Sequence, residues 1–141
     1  MTQLEKAQAG DITEEMRLCA LDEGVSPQFI QEGVKNGTIV VVKNQGHRDG
    51  RPGAIGRGLR TKINANIGTS LDRADIQFEL EKIKICAEAK ADAVMDLSTG
   101  GDLRRIRQAV VAASPMIVGT VPIYQAAADV IVDGRSIMDM T

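Results

Sequence analysis

The stretch KINANIGTSLDRADIQFELEKIKICAEAKADAVMDLSTG, residues 62–100, decides the fold. Its first part, residues 62–68, has strand character, and residues 72–90 place apolar side chains at helical intervals. Residues 92–97 then return to strand character. The stretch therefore predicts one unit of strand, helix and strand.

A second unit follows directly. Asp102 is placed to cap a helix, the Ser114-Pro115 pair ends that helix, and residues 116–121 predict the next strand. Strands that alternate with helices form a parallel sheet with right-handed crossovers, either doubly wound or closed into a (β/α)8 barrel. Because such a barrel takes about 250 residues, we expect an α/β fold in which residues 61–141 form the first three β/α units of an incomplete TIM-type barrel.

Residues 1–60 predict a small helical amino-terminal region that precedes this barrel. Residues 38–42 (TIVVV) predict one strand, and residues 44–60, with five glycines and a proline, predict a long loop. Start signals for three short helices stand at Thr2, Thr13 and Ser26. At the other end, Thr141 is a good helix-capping residue with no helix after it, as expected of a chain that stops partway round a barrel.

Composition limits the classes of function. The 141 residues are 43% apolar and 26% charged, and the net charge of -2 arises from 19 acidic and 17 basic residues scattered along the chain. Without a basic block to neutralise phosphates, nucleic acid binding is not expected. No apolar run approaches the roughly 20 residues of a membrane helix, and residues 1–9 resemble neither a signal nor a transit peptide, so we predict a cytoplasmic protein without membrane contact.

The potential metal ligands are few and scattered. Cys19 and Cys86 form no CxxC pair, and the single histidine, His47, has no second ligand nearby. No local zinc or iron-sulfur site is predicted from these residues, and each cysteine is expected to pack as a small hydrophobic side chain.

Three residues at strand ends are candidates for a ligand site. Asn66, Met95 and Tyr124 are separated by 29 residues in each case and close the three predicted strands. In barrel enzymes the chemistry gathers at these strand ends, so we expect the three side chains at one level on the same face. Each also has an ordinary interpretation: methionine as core, asparagine as a turn or backbone partner, and tyrosine as a packed ring with its hydroxyl in water.

Two neighbouring features complete this region. Asp96 is expected to point away from Met95, towards the helices or a nearby N-H, because strand side chains alternate between faces. Residues 98–101 (STGG) lead into a helix start, where free N-H groups can hold a phosphate.

The sequence resembles the phosphomethylpyrimidine synthase family, also called ThiC. Four segments carry the resemblance: KINANIGTS (residues 62–70), AVMDLSTGGD (93–102), SPMIVGTVPIYQA (114–126) and SIMDMT (136–141). It reaches back through MTQLEKAQAGDITEEM and EGVSPQFIQEGVKNGTIV, so it covers essentially the whole chain, as the amino-terminal portion of that family.

The resemblance implies a (β/α)8-barrel enzyme of the radical S-adenosylmethionine type. Such an enzyme converts 5-aminoimidazole ribotide into the hydroxymethylpyrimidine phosphate of thiamine. An asparagine, a methionine and a tyrosine of these motifs contact the ribotide in the family, and they correspond to Asn66, Met95 and Tyr124. The complete enzyme would carry a [4Fe-4S] cluster, S-adenosylmethionine and a zinc-type metal ion, and would form a homodimer.

This chain departs from the family pattern in what it lacks. The CxxCxxxxC cluster motif, the metal-binding histidines and the later serine-arginine-glycine and aspartate-glycine-leucine-arginine motifs do not occur in it. We therefore assign no catalytic residue and no metal ligand, and expect the chain to be inactive alone.

Two other interpretations stay open. A 5-hydroxybenzimidazole synthase of anaerobic cobamide biosynthesis starts from the same ribotide and would share all three strand-end residues. A truncated, non-catalytic barrel could instead act as a binding or assembly piece through its exposed sheet edges.

Overall fold

The structure, a computed structural model, describes residues 1–44 and 50–140. His47 and Thr141 therefore lie outside the described residues. The chain divides into two compact units, Met1–Ile63 and Asn64–Thr141.

The first unit contains three helices, α1 (Gln3–Gln8), α2 (Glu14–Glu23) and α3 (Pro27–Lys35). Each begins directly after its predicted capping residue, whose side chain accepts a backbone N-H three positions on. Thr2 and Glu5 form the reciprocal capping box. Gly24 ends α2 in the left-handed conformation at φ 68°, which costs glycine little. The three predicted helices are confirmed.

A two-stranded antiparallel sheet completes this unit. β1 (Ile39–Val42) pairs with β2 (Gly53–Gly56), with Ile39 opposite Gly56. The prediction of a single strand and a loop over residues 44–60 is wrong at β2. Because β2 has glycine at both ends, its sequence does not show the alternating pattern of a strand. Ala54 is nevertheless buried in the core. A Cβ at position 56 would lie 2.2 Å from the Thr38 carbonyl oxygen. Pairing with β1 requires that close approach.

The second unit alternates strands and helices as predicted. Its elements are β3 (Asn64–Ile67), α4 (Ile76–Glu88), β4 (Ala93–Asp96), α5 (Leu103–Ala113), β5 (Ile117–Thr120), α6 (Pro122–Val132) and a 3-10 turn at Ile137–Asp139. The strands are parallel in the order β3-β4-β5. Helix α4 begins later than the predicted position 72, because Asp75 caps it by accepting the N-H groups of Gln77 and Phe78.

The helices of this unit pack against one face of its sheet. Ile67 of β3 and Val118 of β5 contact a core to which α4, α5 and α6 contribute Ile83, Ile106 and Ala128 among others. Side chains alternate along a strand, so Asn66, Met95 and Gly119 belong to the opposite face. The structure thus shows a mixed α/β fold with a parallel sheet. A parallel sheet of three strands is too small to show whether the complete sheet closes into a barrel.

None of the helices in residues 1–44 and 50–140 is long and apolar enough to cross a membrane.

Candidate functional site

Two loops at the carboxyl ends of the parallel strands are held tightly together. They are the β3–α4 loop, residues 68–75, and the β4–α5 loop, residues 97–102. The Thr99 N-H donates to the Thr69 carbonyl at 2.9 Å, which continues the strand pairing past the strand ends. Gly68, at φ +147°, allows this approach, because a Cβ there would lie 2.6 Å from the Ser98 nitrogen. Backbone contacts therefore join the two loops at the rim of the sheet.

A chain of polar contacts crosses between the two loops. The Thr69 N-H donates to Ser98 Oγ at 3.1 Å, and that hydroxyl donates to Asp96 Oδ1 at 2.5 Å. Asp96 is buried and also accepts the Ser98 N-H at 3.0 Å. The expectation that Asp96 binds a nearby N-H is confirmed. The Ser98 and Thr99 N-H groups already donate to Asp96 and to the Thr69 carbonyl, so these two are not free for the phosphate predicted at residues 98–101.

A buried carboxylate of α4 supports the same rim. Glu79 is only 2% exposed; its Oε2 accepts the Gly68 N-H at 2.7 Å and its Oε1 lies 2.7 Å from Lys82 Nζ. Sequence reasoning missed this residue. The signal was present, because Glu79 lies on the apolar stripe of α4 between Ile76 and Ile83, where a charged side chain needs a specific partner.

Two of the three predicted ligand-binding residues lie side by side. Asn66 and Met95 are register partners on β3 and β4, Asn66 exposed and Met95 half-buried. The residue level with them on β5 is Gly119. The prediction that the three side chains lie at one level of the sheet is thus confirmed for Asn66 and Met95 and is wrong for Tyr124. Tyr124 lies in the first turn of α6, 39% exposed, because Pro122 starts that helix directly after the strand.

The described cysteines pack as the sequence predicted. Cys19 is 1% exposed in the core of the first unit, and Cys86 packs against the core of the second. Burial, with smaller contributions from Asp22 and Glu23, raises the pKa of the Cys19 thiol to about 11. Such a neutral thiol is a poor metal ligand.

Over residues 1–44 and 50–140 no group of three or more histidine, cysteine, aspartate or glutamate side chains could hold a metal ion. The whole sequence has two cysteines, fewer than the thiolates that hold an iron-sulfur cluster. The residues present therefore do not fit such a cofactor.

The second unit is an α/β arrangement. It has a parallel sheet with helices on one face and places an amide and a thioether side chain towards the carboxyl ends of neighbouring strands. The chain belongs to the radical SAM ThiC family, whose model matches residues 2–141. The resemblance inferred from the sequence is thereby confirmed.

Relatives from several organisms cover nearly the whole chain. A phosphomethylpyrimidine synthase of Syntrophus aciditrophicus is 62% identical over 100% of this chain and 33% of its own length. That of Geobacter metallireducens is 53% identical over 99% of this chain and 32% of its own length. That of Thermococcus kodakarensis is 46% identical over 100% of this chain and 33% of its own length. The chain thus spans about a third of the length of the curated relatives it matches.

Proposed function

We propose that this chain contributes one part of a phosphomethylpyrimidine synthase of thiamine biosynthesis, and that this part binds 5-aminoimidazole ribotide. The complete protein would convert the ribotide into hydroxymethylpyrimidine phosphate by radical S-adenosylmethionine chemistry. The observation that carries the proposal is the pairing of Asn66 with Met95 on the face of the sheet opposite α4, α5 and α6, in a chain of this family.

The three side chains would divide recognition of the ribotide among them. The Asn66 amide offers both a donor and an acceptor to the imidazole or the ribose, and it is exposed. Met95 supplies a soft apolar wall beside it. Tyr124, in the first turn of α6 and partly exposed, would direct its hydroxyl to a ribose or phosphate oxygen.

The packing of the helices supports the proposed (β/α)8 barrel over a doubly wound sheet. In a doubly wound sheet helices cover both faces, whereas in a barrel all helices lie outside and the site is built at the carboxyl ends of the strands. Here α4, α5 and α6 contribute to one core on one face of the sheet, and Asn66 with Met95 occupies the other face.

The role proposed for these residues is binding and orientation. The [4Fe-4S] cluster and S-adenosylmethionine would supply the radical chemistry of the complete enzyme, and a zinc-type metal ion would act there without redox change. The two cysteines of this chain are too few to hold the cluster, and residues 1–44 and 50–140 contain no group of side chains that could hold a metal ion. A cytoplasmic location and a homodimer are further predictions for the complete protein.

A fusion tests the proposal. Residues 1–141 would replace the corresponding third of the Syntrophus aciditrophicus relative, and the products formed from the ribotide would be analysed by mass spectrometry. We expect the hydroxymethylpyrimidine phosphate. A hydroxybenzimidazole would indicate the alternative synthase, and no product from a folded fusion would favour a non-catalytic binding or assembly piece.

Two variants of the fusion refine the test. Asn66→Ala should reduce turnover by about tenfold or more, the effect of losing about 1.4 kcal/mol of binding. Asn64→Ala, two residues earlier on the same strand and also exposed, is the matched control and should have little effect. Equal losses in both variants would contradict a specific role for Asn66.

A further inference from the structure

Gly119 lies level with Met95 on the face of the sheet opposite α4, α5 and α6 and has no side chain of its own. A Cβ at this position would lie 2.8 Å from Met95 Cε and 3.0 Å from Met95 Sδ. The tip of the methionine therefore lies where a larger residue at position 119 would place its side chain.

The backbone does not explain this glycine. Gly119 is not among the glycines of positive φ, so any residue can adopt its conformation. Glycine inside a strand also weakens the strand by roughly 0.5–1 kcal/mol relative to alanine. Of the three atoms nearest to a Cβ at this position, two belong to Met95, and the third, the Val94 carbonyl oxygen at 3.9 Å, is at an ordinary contact distance. The absence of a side chain at position 119 therefore leaves room for the Met95 side chain.

We propose that Gly119 is a positioning residue of the ribotide site, because it leaves room for the Met95 thioether to lie against the sheet. With the tip held over Gly119, Met95 would leave room beside the exposed Asn66 for a flat heterocycle. A side chain at position 119 lifts the thioether into that space. The inference rests on the proposed function and deepens it.

The test compares wild type with Gly119→Ala in the 141-residue chain, with the methionine methyl groups labelled with carbon-13. The clash falls on the flexible end of a methionine rather than on backbone, so the variant should fold with an unchanged circular dichroism spectrum. We expect the Met95 methyl signal to shift and its contact with residue 119 in nuclear Overhauser spectra to change. Thr120→Ala, the next residue along β5 and on the opposite face, is the control and should leave the Met95 signal in place.

Ribotide binding provides the second measurement. Gly119→Ala should weaken binding by about tenfold in wild-type background. In a Met95→Val background the same change should have nearly no effect, because valine lacks the two atoms that clash. This coupling separates a role through Met95 from a general loss of structure.

Each outcome has a definite meaning. An unmoved Met95 methyl signal in Gly119→Ala, or an equal loss of binding with and without Met95, would overturn the inference. If wild type binds no ribotide, the proposed function fails, and the methyl signal then decides alone whether Gly119 seats Met95.

Discussion

Replacing Glu79 by alanine removes the side-chain acceptor that holds the β3–α4 loop. The carboxylate is buried, accepts the Gly68 N-H at 2.7 Å and pairs with Lys82 at 2.7 Å. The change leaves the Gly68 N-H without this acceptor and frees the loop two residues after Asn66. The second unit should therefore lose stability.

The magnitude follows from these contacts. A hydrogen bond to a charged acceptor contributes about 1.5–3 kcal/mol. The pair with Lys82, whose side chain is 33% exposed, adds only about 0–1 kcal/mol because solvent screens it. We expect Glu79→Ala to lower the free energy of unfolding by about 3 kcal/mol. Glu79→Gln, which keeps an acceptor oxygen, should lower it by about 1 kcal/mol.

Tyrosine fluorescence during urea denaturation is the assay. Tyr124 is the only tyrosine, the chain has no tryptophan, and Tyr124 lies in the second unit, so the signal reports on that unit. Hydrogen exchange at the Gly68 amide gives a local measurement, and Glu81→Ala, exposed on the same helix, is the control. A Glu79→Ala variant within about 0.5 kcal/mol of wild type, with unchanged Gly68 exchange, would refute the reasoning.

Three further predictions concern charge and activity. The Cys19 thiol, whose pKa is raised from 9.0 to about 11, stays neutral in the fold while it ionises in the unfolded chain. The neutral thiol therefore contributes to the free energy of unfolding below pH 9, and this contribution is lost as pH rises to about 11. Over that pH range the urea midpoint should fall less steeply in Cys19→Ala than in wild type. The hydrogen bond from Arg104, followed by that from Gln125, lowers the pKa of Asp129, so Arg104→Ala should raise that pKa in a carbon-13 titration; an unchanged value would contradict the contact. The isolated chain, with two cysteines, should form no 5'-deoxyadenosine from S-adenosylmethionine above background under reducing anaerobic conditions, and measurable product would count against this view.

The elements that could be predicted from the sequence are those with local signals. The side chains of Thr2, Thr13 and Ser26 start helices by accepting hydrogen bonds from the backbone N-H groups three positions on. Such helix starts can be predicted from a few neighbouring residues in the sequence. The strands and helices of the second unit follow from apolar spacing in the same way. The level pairing of Asn66 with Met95 follows from the regular length of the β/α unit.

Strand β2 and the role of Gly119 escaped prediction because they depend on contacts between distant segments, whereas the position of Tyr124 depends on a nearby residue. Strand β2 forms because it pairs with β1, and its glycines conceal it in the sequence. Tyr124 leaves the common level because Pro122 starts α6 immediately after β5, although its spacing matches that of the other two residues. The role of Gly119 can be inferred only from the structure, which shows Met95 beside it.

Titration of the labelled 141-residue chain with 5-aminoimidazole ribotide tests the proposed site most directly. Asn66 and Asn64 are both exposed on β3, so their side-chain amide signals form an internal comparison. We predict weak binding, on the order of 1 mM, with shifts at the Asn66 amide and the Met95 methyl group and none at the Asn64 amide. Equal shifts at both asparagines, or none at either up to saturating ribotide, would contradict a ribotide site at these strand ends.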